Sequence, residues 1–181
     1  MSKKVILKEK EKITAYRPAN FFAEQLVYAR NQNLRHIMDV SDVNQVRLLE
    51  VSRFGGVRFL DDTNCRDINA LGFAMESIQH PLFWITGAWD GRLQHSSLLP
   101  IVAEKVKAVI GIGDDNSMLV RSFSPYVEVY DCHTMEQAVK TAYYSADSGD
   151  AVLFSTINGT YSGCAGAREL SLQFREAVKE L

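Results

Sequence analysis

From residue 46 onward the chain alternates short apolar runs of strand length with single helical segments, and this alternation constrains its fold more than any other feature. The apolar runs are residues 46–51, 57–60, 82–86, 108–112, 126–130 and 151–155. Helical spacing of apolar residues predicts helices over 68–78, 97–106, 116–121, 134–143 and 167–181. Strands separated by single helices return by right-handed crossovers, which builds a mostly parallel sheet. The run LFWIT at 82–86 is apolar almost throughout, as a strand covered on both faces requires. The first two runs are separated only by SRFGG at 52–56, and the glycine pair there predicts a hairpin. At 134–137, TMEQ has the spacing of a capping box, threonine first and glutamine three residues on. The expected fold is therefore α/β: a Rossmann-like, doubly wound, mostly parallel sheet with an N-terminal β-hairpin, over residues 46–181.

Residues 1–45 read differently. The first fifteen or so are rich in Lys and Glu, with one β-like run at 5–7. A helical pattern over 20–30 places Phe21, Phe22, Leu26 and Ala29 on one side. This stretch is expected to be an N-terminal extension, possibly the end of a preceding domain.

Composition excludes several classes. With 46% hydrophobic and 23% charged residues in 181, the chain is neither disordered nor fibrous. A formal net charge of −2 provides no field to recruit nucleic acid or an anionic membrane. No apolar run approaches the roughly 20 residues that span a bilayer. The opening MSKKVILKEKEK has no apolar core of the kind a signal peptide carries. Cys65, Cys132 and Cys164 form no CxxC pair and fit reduced thiols. A cytoplasmic location is expected.

Doubly wound sheets bind ligands beyond the carboxyl ends of their strands. The loop 61–67, DDTNCRD, reads equally as a ligand site and as a capped helix start. The loop 86–92, TGAWDGR, reads as an anion site with Arg92 as its clamp, or as an ordinary turn. The segment 155–163, STINGTYSG, is rich in hydroxyls at a helix entrance, which suits a carboxylate or phosphate and equally a flexible loop. Gly111 and Gly113 form a GxG without its third glycine, a weak dinucleotide signal. Asp114 and Asp115 offer paired acids but no metal-ligand pattern. His36, His80, His95 and His133 show no HxxH or HExxH spacing, so no metal site is expected. There is no GxSxG elbow and no GxxxxGK[ST] loop. Chemistry alone leads to an α/β domain that binds a small anionic ligand in its strand-end loops.

Four stretches carry a resemblance. Residues 56–62, GVRFLDD, are similar to a stretch leading into a DSKATN motif, and 134–139, TMEQAV, to the start of a helix that follows it. Residues 148–155, SGDAVLFS, resemble PGDxVLLSP, and from there the pattern continues without a gap to the closing AVKEL. Their order and spacing resemble the C-terminal domain of the Mur ligase family, most closely the members that add D-glutamate to UDP-N-acetylmuramoyl-L-alanine.

The resemblance implies a role. These enzymes use ATP and magnesium to activate a nucleotide-sugar carboxylate as an acyl phosphate, which an amino acid then attacks. The central domain holds the P-loop, and the C-terminal domain contributes to amino-acid binding and closes over the nucleotide. Carried over residue by residue, Arg47 and Asp62 would face the nucleotide, while Asn64, Arg66, Arg92 and Thr160 would serve the amino acid. Asn64 stands where the family has lysine, Arg66 where it has threonine, and Ala167 where it has phenylalanine. No catalytic residue and no cofactor is expected in this chain alone, which lacks the P-loop. The expected partners are D-glutamate, UDP-N-acetylmuramoyl-L-alanine and an ATPase domain of the same protein, with neither nucleic acid nor membrane. The departures leave a second reading, a free-standing small-acid-binding module without ligase chemistry. A third, a general nucleotide-binding domain, rests on Gly111 and Gly113 alone.

Overall fold

The structure, a computed structural model, describes residues 14–16, 48–65, 67–87, 95–157 and 166–181. The strands are β1 (Thr14–Tyr16), β2 (Leu49–Phe54), β3 (Val57–Asp61), β4 (Leu82–Gly87), β5 (Val106–Ile112), β6 (Glu128–Asp131) and β7 (Ala151–Phe154). The helices are α1 (Ile68–Ser77), α2 (Leu99–Lys105), α3 (Ser117–Phe123), α4 (Met135–Ser145) and α5 (Ala167–Lys179), with a 3-10 turn at His95–Ser97.

These strands form one seven-stranded sheet in the order β1-β6-β5-β4-β7-β3-β2. The five inner strands are parallel, and the two outer ones run antiparallel to their neighbours. The expected doubly wound α/β sheet with its hairpin is therefore present. The hairpin turn is tighter than the sequence suggests: β2 continues through Arg53 and Phe54, leaving a two-residue turn. Gly55 and Gly56 have φ of 58° and 83°, and a twist-matched two-residue turn needs positive φ at both positions.

Strand β1 is unforeseen. It pairs with β6, Thr14 opposite Asp131 and Tyr16 opposite Val129, so part of the N-terminal stretch joins the sheet. The β-like run at 5–7 and the helical pattern at 20–30 lie outside the described residues.

Both faces of the sheet are covered. Along β4, Phe83 and Ile85 join one core cluster while Leu82 and Trp84 join the other, which is the two-residue period of a strand. Helices α4 and α5 cover the first face, with Phe174 of α5 5.1 Å from Phe154 between ring centroids. Helices α1, α2 and α3 cover the second, where Phe123 meets Trp84 edge-on at 5.4 Å. Every residue of β4 and of β7 is buried, as strands in the middle of a two-sided sheet must be.

The helix boundaries follow local chemistry. Asp67 caps α1, accepting from the amides of Asn69 and Ala70 at 2.9 Å each. Thr134 caps α4 by accepting from the Gln137 amide at 3.2 Å. The reciprocal half of the expected capping box is displaced by one residue: Gln137 Oε1 accepts from the His133 amide, at 3.1 Å. The predicted helix 97–106 is shorter, because Val106 already belongs to β5.

Candidate functional site

The chain leaves β3 through two adjacent acids that go opposite ways. Asp61 points to the α5 side. Its Oδ1 accepts from the amide and hydroxyl of Thr63 at 3.0 and 2.9 Å, and its Oδ2 accepts from the Ser171 hydroxyl. The Arg175 guanidinium reaches the same Oδ2 only at 3.5 Å. Asp62 turns instead to the seam with β7 and is also buried. Its Oδ2 and its main-chain carbonyl both accept from the Ser155 hydroxyl, at 3.0 and 3.2 Å.

Ser155 follows β7, the strand next to β3, and its own backbone completes the arrangement. Its amide donates to Ile85 of β4, and its carbonyl accepts from the Trp84 indole at 3.2 Å. The carboxyl ends of β3, β7 and β4 are thus tied through one serine. Burial pushes the Asp62 carboxyl up to about 6, opposed by the Ser155 hydrogen bond and assisted by the neighbouring Asp61 charge. Burial likewise pushes the Cys65 thiol up to about 12, so this cysteine is inert as a nucleophile at neutral pH. Cys65 and Cys132 are both buried free thiols, while Cys164 lies outside the described residues.

Between the β2–β3 hairpin and the start of α5 lies a cavity of about 700 Å³. Thr63, Asn64 and Asp61 line it from the β3 end, and Ala167, Ser171 and Arg175 from α5. The structure therefore brings Asn64 to this cavity and turns Asp62 away from it, into the seam with β7. Arg47, Arg66, Arg92 and Thr160 lie outside the described residues. Sequence reasoning missed Ser171 and Arg175, which lie 110 and 114 residues from their partner Asp61. The four-residue spacing of two polar side chains along one helix was the available signal.

The loop 61–67 is a capped helix start, with Asp67 as the cap of α1, and its Asp61 and Asp62 are buried and hydrogen-bonded within the chain. Gly111 has a structural reason of its own. A Cβ on Gly111 would come within 2.7 Å of Asn116 and of Leu119. Asn116 fills that space and donates to Asp131 Oδ1 at 2.7 Å, linking the ends of β5 and β6. Asp115 accepts from the Ser117 amide at 2.9 Å, and the Ser117 hydroxyl and amide together hold its carboxyl below its ordinary value. Among the described residues no group of three or more His, Cys, Asp and Glu side chains is placed to hold a metal ion. No described helix is long and apolar enough to cross a membrane.

No protein-family model matches the chain. Individual relatives do. A UDP-N-acetylmuramoylalanine–D-glutamate ligase of Christiangramia forsetii is 34% identical over 158 residues, which is 87% of this chain and 36% of that protein. The ligase of the same name from Cytophaga hutchinsonii is 32% identical over 136 residues, 75% of this chain and 30% of that one. That of Porphyromonas gingivalis is 27% identical over 165 residues, 90% of this chain and 36% of that one. Among solved structures, MurF ligase from Thermotoga maritima in complex with ADP overlays with a TM-score of 0.48 at 13% identity, covering 77% of this chain and 32% of that one. The chain spans about a third of the length of the curated relatives it matches. Taken with the doubly wound sheet, the similarity along most of its length makes this chain a member of the Mur ligase family, and the relatives that show it bear the name UDP-N-acetylmuramoylalanine–D-glutamate ligase.

Proposed function

We propose that this chain is the C-terminal, amino-acid-binding domain of an ATP-dependent, amide-forming ligase of peptidoglycan precursor synthesis, one that adds D-glutamate to UDP-N-acetylmuramoyl-L-alanine. The observation that carries the reading is the 34% identity, over 87% of the chain, to a relative that bears that name. The position of the motif aspartate supports it: Asp62 stands at the carboxyl end of β3, where a doubly wound sheet presents its ligand-facing loops.

In this reading Asn64, Arg66, Arg92 and Thr160 serve the amino acid, and Arg47 and Asp62 face the nucleotide. ATP and magnesium belong to the complete enzyme, and this chain by itself carries out no ligation. When bound, they supply activation of the nucleotide-sugar carboxylate. The part of this chain is to orient the incoming amino acid and, on closing against the ATPase domain, to keep water from a hydrolysable intermediate. The working location is the cytoplasm.

The test uses the complete coding sequence. Phosphate release from ATP should require D-glutamate and UDP-N-acetylmuramoyl-L-alanine together, and the 181-residue chain alone should release none. Release that ignores D-glutamate would overturn the assignment. One feature favours a second reading, a free-standing module that binds a small acid. Asn64 places no charge where the resemblance calls for lysine. A stop codon shortly upstream of Met1 would support that reading and remove the first.

A further inference from the structure

The turn after β3 holds out one side chain only. Asp61, Asp62, Thr63 and Cys65 are buried, while Asn64 in their midst is exposed and borders the cavity. A side chain presented in this way is placed no more accurately than the turn beneath it.

That turn is braced from both sides. On the α5 side, Asp61 Oδ1 accepts from the amide and the hydroxyl of Thr63. Within the turn, the Asp62 carbonyl accepts from the Cys65 amide at 3.1 Å, which closes four residues with Thr63 and Asn64 at the centre. The β7 side supplies the second brace. There the Ser155 hydroxyl donates to the same Asp62 carbonyl and to the Asp62 carboxyl group. Ser155 is itself firmly held: it is fully buried, its amide donates to Ile85 at 3.1 Å, and its carbonyl accepts from the Trp84 indole. The Asp62 amide donates to the Phe154 carbonyl at 2.8 Å, which keeps the two strand ends in register. A serine 93 residues further along the chain thus fixes the turn that carries Asn64.

We propose that Ser155 is a positioning residue for the amino-acid substrate: its hydroxyl braces the turn 62–65 and so sets where Asn64 is held out to the incoming amino acid. This role rests on the ligase reading, in which Asn64 serves the amino acid. Ser155 acts through Asn64 and touches no substrate itself.

The test measures kcat and KM in the complete enzyme, unsubstituted and as Ser155→Ala, Asn64→Ala and the double variant. Ser155→Ala should raise the KM for D-glutamate about fivefold, the scale of one ordinary hydrogen bond. The KM for UDP-N-acetylmuramoyl-L-alanine should stay where it is. Asn64→Ala should raise the KM for D-glutamate at least as much, and adding Ser155→Ala to it should raise it no further. A serine with a merely structural role would lower activity equally in both backgrounds. Thr63→Val keeps the shape of the side chain and removes the hydroxyl from the opposite brace. It should follow the same pattern, and it decides if Ser155→Ala fails to fold. An unchanged KM for D-glutamate in Ser155→Ala or in Asn64→Ala, or a Ser155→Ala effect that persists undiminished beside Asn64→Ala, would overturn the proposal while leaving the ligase reading in place. An unsubstituted enzyme that ignores D-glutamate would overturn that reading, and the proposal with it.

Discussion

The Ser155 hydroxyl donates to Asp62 Oδ2 at 3.0 Å, so one buried carboxyl group clasps the ends of β3 and β7. Burial lifts that carboxyl from 3.8 to about 6. Between roughly pH 4 and 6 the folded chain therefore holds more protons than the unfolded one, and stability falls as pH rises through that window, then levels off. The carbon-13 signal of the Asp62 carboxyl should titrate near 6. Ser155→Ala, which removes an opposing hydrogen bond, should move it higher still. Asp62→Asn should flatten this part of the stability profile. A carboxyl titrating near 4 would contradict the burial argument.

Gly56→Ala should be costly and Gly56→Asn hardly better. The position has φ of 83°, and a Cβ there would lie 2.2 Å from the Ser148 hydroxyl and 3.3 Å from its Cα. The left-handed conformation alone costs an L-residue about 1–2 kcal/mol, before the hairpin is pushed off the turn that precedes β7. Urea unfolding should show a lower midpoint with an unchanged slope.

Lys105 closes the second layer. Its Nζ donates to the carbonyls of Met75, Glu76 and Ile78 at 3.2, 2.8 and 2.7 Å, which caps the exit of α1 from the end of α2. Lys105→Met keeps the aliphatic stem and removes the donors. It should cost about 2 kcal/mol, the range of hydrogen bonds to a charged group, read as a drop in Tm. A neutral outcome would mean that water serves those carbonyls equally well.

In the complete enzyme, Arg92→Ala should raise the KM for the amino acid tenfold or more, because a charged hydrogen bond contributes about 1.5–3 kcal/mol. The kcat should change less. An unchanged KM would remove Arg92 from the amino-acid site and with it much of the proposed carry-over.

What was legible in the sequence was whatever neighbours along the chain determine. The run from Leu82 to Thr86 announces a strand covered on both faces because every side chain must be apolar there. Thr134 and Asp67 announce helix starts because their caps lie two or three residues away. Strand β1 was not legible: its three residues, TAY, form no apolar run, and its partner lies more than a hundred residues on. The site was legible by half. Asp62 and Asn64 could be placed by the resemblance, but the direction of each side chain could not. Asp61 turns to α5 and Asp62 to β7 because consecutive residues at a strand end face opposite ways. The partners that make Asp61 a wall of the cavity, Ser171 and Arg175, come from the far end of the chain, where only the folded sheet brings them near.

The pairing of β1 with β6 also determines how the molecule behaves toward its own copies. A sheet's outermost strand leaves main-chain donors and acceptors unmatched, and neighbouring molecules can add to them. Here the three residues Thr14–Tyr16 occupy that position along β6. A shortened version beginning at residue 46 would keep the hairpin, the five described helices and the cavity, yet expose the edge of β6 from Val129 to Asp131. Such a version should gather into aggregates as its concentration rises, while the full 181 residues stay dispersed.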